Sequence, residues 1–212
     1  MPRFISIRKW SPVVAIAIAL LSAACSSKQE PAPSQPPTSQ TPSSQPAGDN
    51  KIAVIETSAG TIKIELLANE APKTAENFKE LAESGRYDGT VFHRIHSGFM
   101  IQGGDPKGDG SGGQTATGRP LPNEVNPASP LYQGGYKRGL VAMANMGGRP
   151  ETGSSQFFIM HGFNALPPQY TIFGRVTEGM DTVDKIATAP TDAPVNPEKP
   201  RSPVKMNKVY IK

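Results

Sequence analysis

Three segments hold most of the residues whose types and spacing could do chemistry. They are Val91-Phe92-His93-Arg94-Ile95-His96-Ser97-Gly98-Phe99-Met100-Ile101-Gln102-Gly103-Gly104-Asp105, then Met143-Ala144-Asn145, then Ser154-Ser155-Gln156-Phe157-Phe158-Ile159. Together they offer a guanidinium, side-chain amides and large apolar groups. Taken singly, each residue has a plain structural use, since arginines mostly sit at surfaces and strand aromatics mostly in cores. Phe157 is assigned to the core, because strand neighbours face opposite ways and Phe158 then takes the other side.

Other chemistries lack their parts. The chain has no G-x-S-x-G elbow and no H-E-x-x-H run, which leaves a serine or metal-dependent hydrolase without nucleophile or ligands. His93 and His96 would face opposite sides of a strand and no third ligand is near, so no metal site is expected. Gly108-x-Gly110-x-x-Gly113 fits the dinucleotide fingerprint in form only. The following Gln114-Thr115-Ala116-Thr117-Gly118-Arg119-Pro120 cannot open a helix, and without a strand-turn-helix frame the pattern binds no nucleotide. No cofactor is expected.

The elements that must position these residues are short. Lys51 to Thr57 and Thr61 to Leu67 flank Ser58-Ala59-Gly60, and Ile62, Ile64 and Leu66 alternate with Lys63 and Glu65, the pattern of a hairpin with one buried face. Pro72 opens a segment with Ala75, Phe78, Leu81 and Ala82 on one helical stripe, and Gly85 closes it. Further apolar runs at 90–95, 98–102, 139–144, 156–160, 171–176 and 205–211 are separated by turn-forming residues, and a second short helix is expected at 179–187. Eight short strands and two helices suggest a mostly β fold, a closed barrel with helical lids, because closure removes exposed sheet edges. Strand order is left open by the sequence.

The three segments resemble the signature of the cyclophilins, peptidyl-prolyl cis-trans isomerases, and Tyr170-Thr171-Ile172-Phe173-Gly174 and the strand near Val209 continue the resemblance over nearly all of 51–212. It implies a closed eight-stranded antiparallel β-barrel capped by two α-helices. It also implies Arg94 as the catalytic donor, and a substrate site of Phe99, Met100, Gln102, Ala144, Asn145, Gln156, Phe158, Leu166 and Tyr170. The proline ring would enter the pocket of Phe99, Met100, Phe158 and Leu166, while Gln102, Asn145 and Gln156 hold the substrate backbone. Where many eukaryotic members carry a rim tryptophan the alignment places Ala165, with Phe163 near enough to refill some of the space, and where they carry histidine it places Tyr170. Ala165 removes an aromatic wall and an indole donor, so weak cyclosporin binding is expected. A monomer is expected. The competing reading is a non-catalytic surface module of the same fold that binds proline-containing segments. Loss of Arg94 or of the Phe99, Met100, Gln102 and Phe158 set would mark it, and all are present.

The first 50 residues have another purpose. Arg3, Arg8 and Lys9 precede the apolar run Val13 to Leu21, then Ser22-Ala23-Ala24 and Cys25, the order of a secretory signal over 1–24. The run is about half the roughly 20 apolar residues of a membrane-spanning helix. Cys25, the sole cysteine, resembles the acylated residue of a bacterial lipobox, although Leu21 lies one position further from it than that pattern favours. Ser22-Ala23-Ala24 would also suit an ordinary signal peptidase. A lipid anchor is the preferred reading, since a free exposed thiol is a liability in an oxidising compartment. Residues 26–50, rich in Ser, Gln and Pro, form a tether with nothing to bury. The three regions are thus 1–24 signal peptide, 25–50 anchor and linker, and 51–212 domain. The expected location is the cell envelope, with exported proteins as clients.

The net charge of +4 invites a nucleic-acid reading. Removing the three cations of the signal leaves 19 basic against 18 acidic residues, and no basic footprint for nucleic acid remains.

Overall fold

The computed structural model describes residues 51–147, 149 and 152–212. The expected signal, Cys25 and tether lie outside them. The described residues form strands β1 (Ile52–Thr57), β2 (Gly60–Leu66), β3 (Arg94–His96), β4 (Met100–Gly103), β5 (Leu140–Met143), β6 (Phe157–Met160), β7 (Ile172–Glu178), β8 (Thr191–Asp192), β9 (Asn196–Pro200) and β10 (Met206–Ile211). The helices are α1 (Pro72–Glu83), α2 (Pro130–Gln133) and α3 (Met180–Ala187).

All eight expected strands are present, in one antiparallel sheet of order β10-β1-β2-β7-β5-β6-β4-β3. The sheet is curled and ends in β10 and β3, between which no ladder runs. Isolated bonds join the segment before β3 to the start of β10 and the residues before it: Phe92 N–H donates to Val204 O (3.0 Å) and Met206 N–H to Thr90 O (2.8 Å). The fold is mostly β with few helices.

Both expected helices form. α1 has proline in its first turn, where an amide N–H would go unpaired. It buries Ala75, Phe78, Leu81 and Ala82, and Gly85 follows with φ +70°, letting Arg86 N–H reach back to Leu81 O (2.9 Å). α3 starts after Gly179, whose φ is +89° and whose missing Cβ would collide with Thr61 O, so glycine is required there on two counts.

One helix and one two-stranded ladder were not anticipated. α2 is a single turn capped by Ser129, whose hydroxyl accepts from Leu131 N–H (3.2 Å). The β8–β9 ladder is built from Thr191, Asp192 and Asn196–Pro200 and forms a separate two-stranded sheet. Its sequence is proline-rich and lacks alternation, so it carries no strand signal. Tertiary packing against β3 makes it a strand.

The register gives the sheet two apolar faces. Arg94 pairs with Gln102 and Gln102 with Phe158, and Phe158 also pairs with Ala142 on its other side, so directly opposed side chains share a face. The alternate set, Ile95, Ile101, Ile159, Phe157 and Val141, enters the main core with Ile62, Ile64, Leu66, Phe78, Phe173, Val183 and Val209. Phe157, fully buried, meets Phe78 edge-on at 5.3 Å. This core fixes the sheet, and hence the spacing of everything on its other face.

Candidate active site

The other face carries a second apolar cluster. Met100, Ala142, Phe158, Met160, Ile172, Tyr132 and Tyr136 are buried there, with Phe99, Ala144, Leu166 and Tyr170 half-buried against them. Six of the expected substrate-site residues, Phe99, Met100, Ala144, Phe158, Leu166 and Tyr170, are therefore in one patch. Phe158 and Tyr170 meet edge-to-face with centroids 5.4 Å apart, a favourable aromatic geometry. Phe163 is 63% exposed and lies outside this cluster, its ring edge beside Gly135. Ala165 is exposed.

A chain of polar side chains borders the patch. Gln102 Oε1 accepts from Arg94 Nη1 (3.2 Å), and Gln102 Nε2 donates to Gln156 Oε1 (2.9 Å). Gln156 Nε2 in turn donates to the carbonyls of Gly110 (3.0 Å) and Gly112 (2.7 Å). These amides are oriented from both ends, which specifies which oxygen accepts and which nitrogen donates. Asn145 donates from Nδ2 to Gln169 O (2.9 Å), and with Ala144, Gln156 and Gly110–Gly113 it lines a groove of about 280 Å³.

The glycine-rich loop is held from its other side by Asp105. Its fully buried carboxylate accepts from the backbone N–H of Lys107 (2.9 Å), Asp109 (3.2 Å) and Gly110 (2.7 Å). Gln156 grips the loop's carbonyls and Asp105 its N–H groups, so the glycines that mimic a nucleotide fingerprint instead form one wall of this groove. Close approach is built in: a Cβ on Gly104 would strike Ser155 O, and Ser155 Oγ donates to Gly104 O (2.6 Å).

The floor beneath Tyr170 is braced by two buried tyrosines. Tyr136 donates its hydroxyl to Tyr170 O (2.9 Å) and accepts from Tyr170 N–H (3.1 Å), while the Tyr132 hydroxyl accepts from Ile172 N–H (2.9 Å). Burial raises both phenol pKa values, so these hydroxyls keep their protons. Sequence reasoning missed both tyrosines, as well as Asp105 as a loop clasp. Asp105 stood inside a recognised motif, whereas Tyr132 and Tyr136 lie in a stretch without periodicity.

It also missed Glu198. From β9 this carboxylate takes a two-point contact with Arg94: Nε donates to Oε2 (2.8 Å) and Nη2 to Oε1 (3.0 Å). The Arg94 hydrogen bond holds the Glu198 carboxyl below its ordinary value of 4.5, so it is ionised at neutral pH. With Gln102 on Nη1, the guanidinium is fixed on three sides and still has η N–H groups to spare. His93, beside Arg94, has its imidazole pKa pushed down, chiefly by burial. His96 stacks edge-on against Phe99 at 5.7 Å. Among the described residues no group of His, Cys, Asp and Glu is arranged to hold a metal ion.

The curled antiparallel sheet thus sets an apolar pocket, a guanidinium held on three sides and a border of side-chain amides next to one another. The family model described as cyclophilin type peptidyl-prolyl cis-trans isomerase/CLD matches residues 52–211. Peptidyl-prolyl cis-trans isomerase-like 1 of Neurospora crassa is 44% identical over 158 residues, which cover 74% of this chain and 91% of the relative. Peptidyl-prolyl cis-trans isomerase CYP18-1 of Arabidopsis thaliana is 42% identical over 161 residues, covering 74% and 93%. A cyclophilin-type isomerase of Cryptosporidium parvum, crystallised in the presence of the dipeptide Ala-Pro, superposes with a TM-score of 0.66 at 36% identity, covering 76% of this chain and 98% of that one. The chain belongs to the cyclophilin-type peptidyl-prolyl cis-trans isomerase family, and its activity is isomerisation of the bond preceding proline.

Proposed function

We propose that Arg94 is the catalytic donor and that the pocket of Phe99, Met100, Phe158 and Leu166 takes the proline ring of a proline-containing polypeptide. The observation that carries this is the fixed row Arg94–Gln102–Gln156 beside a single apolar cluster. Rotation about an X–Pro bond faces a barrier of about 18–20 kcal/mol because the amide loses resonance when twisted. Twisting localises a lone pair on the prolyl nitrogen, and a guanidinium N–H aimed at it binds the twisted state better than either planar isomer. Such differential binding speeds the rotation without a nucleophile or cofactor. Gln102, Asn145 and Gln156 hold the backbone on either side of the proline, while Ala144 and Tyr170 complete the walls.

The finer reading of the whole chain rests on its sequence: a bacterial protein, exported, held in the cell envelope by lipid on Cys25 and assisting the folding of exported proteins as a monomer. Among the described residues no helix is long and apolar enough to cross a membrane, and the lipid anchor is read from Cys25 and the segment that precedes it. The sheet is read as a closed barrel through the bonds joining 89–92 to 204–206. Cyclosporin binding is read as weak, since Ala165 supplies no rim aromatic.

The test is a protease-coupled assay on a short X–Pro peptide, with a melting curve for each variant. Arg94→Ala should lose about a hundred- to a thousandfold in kcat/KM, the range for a preorganised donor, and Arg94→Lys should recover little because it lacks the planar fork. Near-normal efficiency in folded Arg94→Ala would overturn the mechanism, and an inactive wild type would favour the binding module.

A further inference from the structure

We infer that Glu198, 104 residues beyond Arg94 in the chain, is a positioning residue for catalysis. It holds the guanidinium in the plane and at the height that a twisted prolyl amide requires. The inference rests on the role of Arg94 argued above.

Arginine is long and loses rotamer entropy when fixed. Its side chain here is 39% exposed at the edge of the sheet, where packing alone does not hold it. Gln102 restrains one nitrogen, which leaves the group free to pivot about that contact. The two bonds to Glu198 remove the pivot, because a side-on fork fixes both the plane and the direction of a guanidinium.

Glu198 is itself fixed. Its backbone N–H donates to Asn196 Oδ1 (3.2 Å), and the ladder beneath it is tied by Arg201, whose backbone N–H reaches Pro190 O (2.9 Å) and whose Nε reaches Thr191 O (2.8 Å). The β8–β9 ladder is a separate sheet with no residue in the main core cluster, so delivering this carboxylate to Arg94 gives the ladder a use that core packing does not. It also walls an open groove of about 500 Å³ on that side of Arg94, lined by His93, Asp109, Asn196 and Lys199.

A carboxylate so close has an opposing effect, since it offsets the positive charge that favours the twisted state. The two effects differ in how they depend on solvent. Coulomb attraction between partly exposed groups is strongly screened, whereas a hydrogen bond weakens steeply once its donor angle falls away from linear. At a half-exposed guanidinium orientation outweighs charge, so removing Glu198 lowers activity.

The experiment measures kcat and KM for Glu198→Ala, Glu198→Gln and Glu198→Asp, each also in an Arg94→Ala background, with melting curves. A 1 Å misplacement of a catalytic group costs up to about a hundredfold, and with Gln102 still in place Glu198→Ala should lose about tenfold, nearly all in kcat. Glu198→Gln keeps one acceptor and should recover a part. With Arg94 already absent, Glu198→Ala should change efficiency by less than about twofold, because coupled residues are non-additive. Glu198→Ala at wild-type efficiency beside an impaired Arg94→Ala would overturn this inference alone, as would an increase in activity or an equal loss without Arg94. An unimpaired Arg94→Ala would overturn the role of Arg94 and with it this one.

Discussion

Gln156 holds the glycine-rich loop and the amide row together through one side chain, so Gln156→Leu should lower stability and turnover at once. Leucine has a similar volume and the site is 8% exposed, which removes any large cavity cost and isolates the polar loss. The bonds lost are those to Gly110 O, Gly112 O and Gln102 Nε2. At about 0.5–1.5 kcal/mol net for each, the ceiling is roughly 4.5 kcal/mol. Both carbonyls belong to residues lining an open groove, where water can replace the lost donor, so the lower half of that range applies, about 2 kcal/mol. For a domain of this size that lowers Tm by about 4–8 °C. Gln102 is then held only by Arg94, and the loop wall is released on its carbonyl side. Displacement on the order of 1 Å in the row should reduce kcat/KM by about ten- to a hundredfold. Gln156→Glu is the companion variant. It can still accept from Gln102 but turns a carboxylate toward two carbonyls, and its Tm should fall further. Differential scanning calorimetry and the coupled peptide assay read both effects. A Gln156→Leu protein with Tm within about 1 °C and efficiency within about twofold of wild type would refute the reasoning that this amide organises the site.

Two further outcomes concern pH and the N-terminus. His93 has a lowered folded pKa because burial disfavours its charged form, so the unfolded chain takes up its proton first, near the ordinary value of 6.5. Stability should therefore fall as pH drops below about 6.5, until the folded imidazole is also protonated. His93→Gln should flatten that slope between about pH 7 and 5, and an unchanged slope in the variant would remove His93 as its cause. Turnover should stay nearly flat from about pH 6 to 8, because no histidine is assigned a catalytic role and the Glu198 carboxyl is held below its ordinary value by Arg94. If Cys25 is acylated, wild-type protein should partition into membranes and Cys25→Ser should not, whereas wild type found wholly in the soluble envelope fraction with an unmodified thiol would refute the anchor.

The sequence by itself determined what depends on short-range pattern. Alternation in Thr61 to Leu67 and the proline-opened stripe of α1 each express a local backbone preference, and each element formed where its pattern lies. The three motif segments likewise identified the family and placed Phe157 in the core, because neighbouring strand residues must face opposite ways. Only the tertiary structure decided which strands are neighbours, and with that the row in which Arg94, Gln102 and Phe158 stand side by side, since register is a relation between distant segments. It alone brought Glu198 to Arg94 from a proline-rich stretch with no strand pattern, and the hydroxyls of Tyr132 and Tyr136 under Tyr170. Those contacts depend on packing between elements far apart in the chain, and local composition holds no record of them.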